Sequence, residues 1–208
     1  MQYMVKKILK LVFGILLSSF AITMVIHSGL GAFPITACNM AIANLLNVSM
    51  GTGGVIVELI ILLLAMWLGE GLSATGIINA TIGSLLVNVW NPILPYHPLM
   101  IFGVFLLPIA WYMTGSLGWG DTNTNLLTNG LVKKTNRSNG FIRTILEIIF
   151  MVIGFIGSDL VTPLTIILSF GFGYAMQFEW KLLKYDPTTV KQSFLIKGKE
   201  RNLVKEGK

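Results

Sequence analysis

Six stretches of the chain have the apolar composition of helices that cross a lipid bilayer. They are residues 8–27, 55–68, 74–90, 99–115, 141–156 and 160–178. The hydrocarbon core is about 30 Å thick and a helix rises about 1.5 Å per residue, so a span needs about 20 mainly apolar residues. Because a span must satisfy its backbone hydrogen bonds internally, each stretch is predicted to be an α-helix.

Among these stretches a shorter one occurs twice, about 87 positions apart. The copies occupy residues 29–47 and 116–134; each opens with glycines, reads as a short helix and precedes an apolar run that carries one glutamate. The second copy is rich in Asp, Asn and Thr, which are costly to place against lipid. Both short helices, near residues 35–47 and 121–132, are predicted to enter the membrane partway, although the pattern leaves open whether they dip or span.

The composition supports a membrane protein. Hydrophobic residues make up 54% of the 208 positions and charged residues only 12%, about half of the charge that coats a typical soluble domain. The net charge of +6 comes mainly from three basic clusters, near residues 6–10, 133–143 and beyond 180. Basic flanks of membrane spans are retained in the cytoplasm, so this charge favours a membrane topology over nucleic-acid binding.

The positions of the basic clusters favour six spans over eight. With six spans and a cytoplasmic N-terminus, every basic cluster lies inside and the segment 91–98, which has no Lys or Arg, lies outside. Eight spans would place two loops without basic residues, 47–53 and 91–98, inside as well. Six spans divide into two oppositely oriented halves, an arrangement common in transporters.

The predicted fold is therefore an all-α polytopic membrane protein. It has two inverted repeats of three transmembrane helices, and each repeat contains a short broken or re-entrant helix. One membrane domain covers residues 1–180, with repeat one at about 8–90 and repeat two at about 99–180. A basic tail at 181–208 is predicted to be cytoplasmic, like the N-terminus.

Ionisable side chains inside apolar spans are the first candidates for function, because each costs roughly 2.5–3.5 kcal/mol at the bilayer centre. Glu58 and Glu147 each lie in an apolar run, and Arg143 precedes Glu147 by one helical turn. These residues predict a substrate, ion or proton site between the halves. For Arg143 and Glu147, a structural ion pair near the cytoplasmic interface is the alternative.

The second short helix supplies further candidates for substrate binding. Asp121 stands where an Asp side chain can cap a helix N-terminus, and Thr122, Asn123 and Asn125 add donors and acceptors beside it. Helix N-termini also present free N–H groups and a positive dipole to anions. The first short helix is less polar at the matching positions, so the second is the better binding candidate, with capping as the alternative role of Asp121.

No sequence pattern indicates an enzyme. The chain shows no recognisable catalytic set, paired metal ligands or phosphate-binding loop. Its single cysteine, Cys38, excludes an internal disulfide and is expected to be a small packing residue. The sequence therefore predicts no catalytic residues, no metal and no cofactor.

Two segments resemble a known family. GLGAFPITACNMAIANLL, followed by GTGG, a Glu-bearing span and IINATIGSLL, is similar to the first half of the bacterial YczE/YyaS/YitT-like membrane proteins. GSLGWGDTNTNLLTNGLVKKTNRSNGFIRTILE resembles their second half, including an Arg-Thr-x-x-Glu element at Arg143, Thr144 and Glu147. The resemblance covers roughly residues 8–180. It implies an integral protein of the bacterial plasma membrane and suggests transport.

These observations favour a small permease or exporter of an unidentified solute in the bacterial plasma (inner) membrane. Two alternatives stay open: a substrate-binding membrane subunit of a vitamin-type uptake complex, and a non-transporting accessory or scaffold protein that acts through the basic tail. The expected partners are the lipid bilayer, a small solute, and either further copies of the chain or other membrane subunits. Nucleic acid is not expected as a partner.

Overall fold

The computed structural model describes residues 2–184, and no β-strand occurs among them. This part of the chain forms eight helical segments: α1 (Gln2–His27), α2 (Pro34–Leu46), α3 (Met50–Trp67), α4 (Ala74–Trp90), α5 (Pro98–Gly115), α6 (Asn123–Thr135), α7 (Asn139–Gly157) and α8 (Pro163–Leu182). Segment α4 contains a π-helical turn at Asn79–Gly83, and α5 begins with a 3₁₀ turn at Pro98–Phe102. The all-helical prediction is confirmed for these residues; the predicted tail at 181–208 lies almost wholly outside them.

The two halves of the chain repeat one backbone design. Positive φ angles occur at Gly29 and Gly118 (68° and 71°), at Gly31 and Gly120 (129° and 94°), and at Asn47 and Asn136 (53° and 55°). The members of each pair are 89 positions apart, slightly more than the sequence alone indicated. The two asparagines end α2 and α6, each 13 residues long, in the left-handed conformation that commonly stops a helix.

A serine starts the next helix in each half. Ser49 precedes α3 and its side chain accepts a hydrogen bond from the backbone N–H of Thr52. Ser138 precedes α7 and accepts from the N–H of Phe141 in the same way. These caps satisfy donors that a first helical turn leaves free. They start α3 and α7 before the apolar stretches at 55 and 141, because the polar and glycine-containing first turns are helical as well. For α3 the glycines at 51, 53 and 54 allow this earlier start from the sequence.

Hydrogen bonds join the start of α1, the end of α5 and the start of α4. Lys10 Nζ donates to Ser116 Oγ at 2.7 Å, which brings α1 and α5 together in antiparallel directions. The backbone N–H of Ala74 donates to the carbonyl oxygen of Trp119 at 3.1 Å. The beginning of α4 therefore lies beside the loop that follows α5.

The same end of the bundle holds the end of α3 and the end of α6. Glu70, which follows α3, lies 2.7 Å from Lys133 in the last turn of α6. Lys134 is next to it and stands over the ring of Trp67 at 4.7 Å. Because these lysines and Lys10 gather here, this end is called the basic end.

A second set of contacts defines the opposite end. The backbone N–H of His97 donates to the carbonyl oxygen of His27 at 2.9 Å, so α1 ends where α5 begins. His27 Nε2 is 2.9 Å from Asn91 Oδ1, directly after α4. Asn88 Nδ2 donates to Ser49 Oγ at 2.9 Å, which adds the turn between α2 and α3.

Helices α2 and α6 begin in the interior and run to different ends. Thirteen residues span about 20 Å, less than the hydrocarbon thickness. At the start of α6, Asn123 Nδ2 donates to Glu58 Oε2 at 3.1 Å, halfway along α3. At the start of α2, Phe33 packs with Val25 and Leu107. Helix α2 ends next to Ser49 at the opposite end and α6 ends at the basic end, so both positions fit helices that enter a membrane partway.

Four of the described helices are long and apolar enough to cross a membrane: Met4–His27, Met50–Trp67, Pro98–Gly115 and Asn139–Gly157. Ala74–Trp90 is apolar but shorter. Large hydrophobic side chains cover the outer surface; Leu63, Phe155 and Ile156 are 64%, 73% and 80% exposed. A continuous apolar surface of this kind suits lipid better than water, so the fold is consistent with a membrane protein.

Candidate functional site

Two cavities lie where α2 and α6 begin. The larger has a volume of about 470 Å³ and extends to the exposed start of α7 at the basic end. Its wall consists of the first residues of α2, apolar side chains of α5 and α8, and the first turns of α7. We call it the large cavity.

The second cavity has a volume of about 110 Å³ and extends toward the opposite end. Asn39 of α2, Gly51, Gly54 and Glu58 of α3, and Asn123 of α6 belong to its wall. We call it the small cavity. Its wall contains the carboxylate of Glu58, the guanidinium of Arg143 and several neutral polar groups.

The two cavities share part of their walls. The residues that line both are Ile22, Ile35, Thr36, Trp111 and Arg143. Two of them, Ile22 and Trp111, are themselves 89 positions apart and occupy corresponding places on α1 and α5. The start of α2 therefore stands between two cavities that meet in the interior.

The walls of the two cavities correspond through the 89-residue repeat. Gly51 and Glu58 line the small cavity, and their counterparts Gly140 and Glu147 line the large one. The start of α6 lines the small cavity just as the start of α2 lines the large one. The two cavities are thus versions of one site, and they differ in size by about fourfold.

Glu58 is held by the start of α6. Asn123 Nδ2 lies 3.1 Å from Glu58 Oε2 and 3.3 Å from the carbonyl oxygen of the same residue. Asn123 is only 1% exposed. Its Oδ1 atom, like Oδ1 of Asn39, is buried and has no hydrogen-bond partner among the described residues. The small cavity therefore combines a carboxylate with unsatisfied amide oxygens beside it.

Arg143 and Glu147 form an ion pair in the wall of the large cavity. Arg143 Nε lies 2.8 Å from Glu147 Oε1 along α7, and Arg143 Nη1 donates to Asn125 Oδ1 at 3.2 Å. The side chains of Arg143 and Glu147 are 23% and 12% exposed. The position that corresponds to Arg143 in the first half is Gly54, so only the second half places a cation between the cavities.

The two ends of the site differ in packing. At the opposite end, Asn88 Oδ1 accepts a hydrogen bond from the backbone N–H of Gly51 at 2.9 Å. A Cβ atom on Gly51 would lie 2.5 Å from the carbonyl oxygen of Ser84, so α3 touches α4 backbone to backbone. A Cβ atom on the corresponding Gly140 would meet nothing within 4 Å. The helices that line the site therefore pack more tightly at Gly51 than at the corresponding Gly140.

Asp121 lies outside the walls of both cavities. The N-cap of α6 is Thr122, one position later than predicted, and it has no side-chain cap. Asp121 instead accepts from the backbone N–H of Thr122 and from Asn125 Nδ2, both at 2.8 Å. Burial raises the pKa of its carboxyl, while these hydrogen bonds and the charge of Arg143 lower that pKa. Asp121 thus orients the Asn125 side chain that contacts Arg143.

The structure places the candidates from the sequence in three locations. Glu58, Asn123 and Thr122 belong to the small cavity, Asn125 and Glu147 to the large cavity, and Asp121 to the loop beside them. Sequence reasoning missed the role of Trp111, which lines both cavities. Trp111 lies inside a predicted apolar span, and only its 89-residue correspondence with Ile22 links it to the site.

Within residues 2–184, no group of three or more His, Cys, Asp and Glu side chains is arranged to hold a metal ion. A family model described as "Family of unknown function (DUF6198)" matches residues 5–181. No curated protein and no solved structure matches the chain. These comparisons do not connect the chain with the YczE/YyaS/YitT-like proteins, so that resemblance stays a prediction.

Proposed function

The chain belongs to the DUF6198 family, whose function is unknown, and we propose that it is a small membrane permease or exporter. The observation that carries the proposal is the pair of cavities: corresponding residues line both, while their volumes and the packing at Gly51 and Gly140 differ. A carrier that exposes one site to the two sides of the membrane in turn needs two access paths lined by equivalent residues. The inverted-repeat transporters achieve it by moving one half of the chain against the other.

The directions of the helices support two inverted halves. Helix α1 runs from the basic end to the opposite end, and its counterpart α5 runs back. Helices α2 and α6, which also correspond, end at different ends of the bundle. Since lysines and arginines are retained on the cytoplasmic side, the basic end is assigned to the cytoplasm, together with the N-terminus. The large cavity then faces the cytoplasm in this conformation.

Exchange between the two conformations follows from the repeat. In the alternative conformation, the contact of Ser49 and Gly51 with Asn88 opens, and the start of α7 closes against α8. We call the contact of Ser49 and Gly51 with Asn88 the α3–α4 gate. The solute site then becomes accessible from the outside through the present small cavity.

A labelling experiment with one reporter cysteine tests this proposal without knowledge of the solute. The reporter is Ile35→Cys, which lines both cavities, in a Cys38→Ser background. A membrane-impermeant thiol reagent is applied to right-side-out and inverted vesicles. We expect labelling from both sides, because the reporter is exposed to each side in turn.

A reversible lock on the gate sharpens the test. Ser49→Cys with Asn88→Cys places two thiols where the native side chains are hydrogen-bonded at 2.9 Å. Oxidation should abolish labelling from the outside, keep labelling from the cytoplasmic side, and be reversed by a reductant. Labelling of the unlocked protein from one side only, or external labelling that survives the lock, would overturn the proposal.

A further inference from the structure

The wall of the large cavity presents one positive and one negative group next to each other. Arg143 Nε and Glu147 Oε1 are 2.8 Å apart, and Asn125 occupies Nη1 of the arginine. A simple anion that approached Arg143 would be repelled by Glu147, and a simple cation that approached Glu147 would be repelled by Arg143. In partly buried sites, repulsion between like charges and attraction between opposite charges decide which ligand is bound. The pair is therefore complementary to a dipolar ligand.

The start of α2 adds donors on the same wall. Phe33 at the N-cap provides no side-chain cap and Pro34 follows it, so the backbone N–H groups of Ile35 and Thr36 have no acceptor within the helix. Thr36 is only 2% exposed, it lines both cavities, and its side chain carries a hydroxyl donor. These donors can bind a carboxylate together with Arg143.

The remainder of the wall is apolar and aromatic. Phe33, Leu107, Trp111, Phe141 and Leu168 belong to it. The volume of about 470 Å³ falls in the range of small-molecule sites, which combine a mainly apolar lining with a few convergent polar groups. The cavity thus has room for an apolar group next to the charged pair.

We infer that the solute is a small zwitterion with an apolar side chain, of the size and chemistry of an apolar α-amino acid. Its carboxylate binds Arg143, Thr36 and the start of α2, and its ammonium group binds the free oxygen of Glu147. The apolar group contacts the side chains of α5 and α8. This inference rests on the proposed permease function, because it names the class of solute for the same site.

Three probes that share a 3-methylbutyl group test the charge requirement. Radiolabelled L-leucine is the zwitterion, 4-methylpentanoate lacks the ammonium group, and 3-methylbutylamine lacks the carboxylate. Binding to the purified protein in lipid nanodiscs is measured directly for leucine and by competition for the others. We expect both singly charged compounds to compete at least about tenfold more weakly than unlabelled leucine. Equal competition by either compound would overturn the inference.

Variants of the Arg143–Glu147 pair test whether its charges bind the solute or only stabilise the fold. Arg143→Gln and Glu147→Gln should each weaken leucine binding at least about tenfold. The matched controls are Lys133→Gln and Glu70→Gln, which remove a separate ion pair at the basic end, 2.7 Å long and outside both cavities. These controls should bind leucine as the unmodified protein does. Unchanged binding in both cavity variants would refute the assignment.

A charge exchange distinguishes a site from a structural ion pair. The double variant Arg143→Glu, Glu147→Arg keeps opposite charges one turn apart on α7 and should keep the melting temperature. It reverses the polarity of the site relative to Thr36 and the start of α2, so leucine binding should be lost. Full binding in this variant would overturn the inference.

The labelling experiment with Ile35→Cys separates the two levels of the argument. If leucine and its analogues fail to bind while two-sided labelling persists, the solute class is wrong and the permease proposal stands. If labelling is also one-sided, the permease proposal fails with it.

Discussion

Replacement of Gly51 by alanine perturbs the α3–α4 gate with the smallest possible change. The added Cβ would lie 2.5 Å from the Ser84 carbonyl oxygen and 2.6 Å from Asn88 Nδ2. The asparagine side chain can turn away, but the carbonyl belongs to the backbone of α4. The two helices must therefore separate by roughly 1 Å to reach ordinary contact distance, and overpacking of this kind costs about 1–3 kcal/mol.

This cost applies to the closed arrangement only, because α3 and α4 separate when the gate opens. A difference of about 1–3 kcal/mol changes the ratio of two conformations by roughly 5- to 150-fold. Gly51→Ala should therefore raise the rate at which Ile35→Cys is labelled from the outside by at least about fivefold. Labelling from the cytoplasmic side should slow as the other conformation gains population.

Gly140→Ala is the reciprocal variant, because Gly140 lies 89 positions later and its Cβ would meet nothing within 4 Å in this conformation. In the proposed alternative conformation Gly140 takes the packed position of Gly51, so external labelling should fall by at least about fivefold in this variant. If Gly51→Ala lowers the melting temperature but leaves external labelling unchanged, the contact is ordinary helix packing. An equal rise in both variants would also refute the reasoning.

Three further predictions concern stability, each measured by thermal unfolding in detergent. Asn123→Ala removes the donor to Glu58 and should lower the free energy of unfolding by about 1–3 kcal/mol. This loss should be smaller in a Glu58→Gln background, and strictly additive losses would contradict the coupling of the two residues. Gly154→Ala places a Cβ 2.6 Å from the nearest side-chain atom of α2 and should lower the free energy of unfolding by about 1–3 kcal/mol. The control is Gly171→Ala, whose Cβ has open space around it and should lower the free energy of unfolding by no measurable amount. Ser138→Ala should cost about 1 kcal/mol through the lost cap of α7, and Ser138→Asp should restore it; no loss in the alanine variant would rule out the cap.

The helices could be predicted from the sequence because their signals are local. Apolar length indicated the spans, and glycines followed by a polar turn indicated where α2 and α6 begin. Helices α3 and α7 begin before their apolar stretches, because capping by Ser49 and Ser138 makes first turns helical that hydropathy alone does not indicate. Apolar length decides membrane insertion, whereas capping decides where the helix starts.

The site could be predicted only in part. Glu58 and Glu147 stand out because charged groups are rare in apolar spans, and the repeat places them at corresponding positions. The contact between Asn123 and Glu58 joins residues 65 positions apart, and no local pattern reports such a pair. The sequence allows two roles for the Asp121 side chain, substrate binding and helix capping. The folded structure was needed to show that Asp121 accepts a hydrogen bond from Asn125.

The difference between Gly54 and Arg143 has a consequence for the engineering of this fold. Both residues border the small cavity and occupy the same place in the two halves. Two copies of the second half would bring two guanidinium groups to one narrow interior space, while two copies of the first half would bring none. A symmetric dimer of either half alone would therefore have two arginines or none beside the small cavity, whereas the native chain has one. The two halves are therefore not interchangeable at this position.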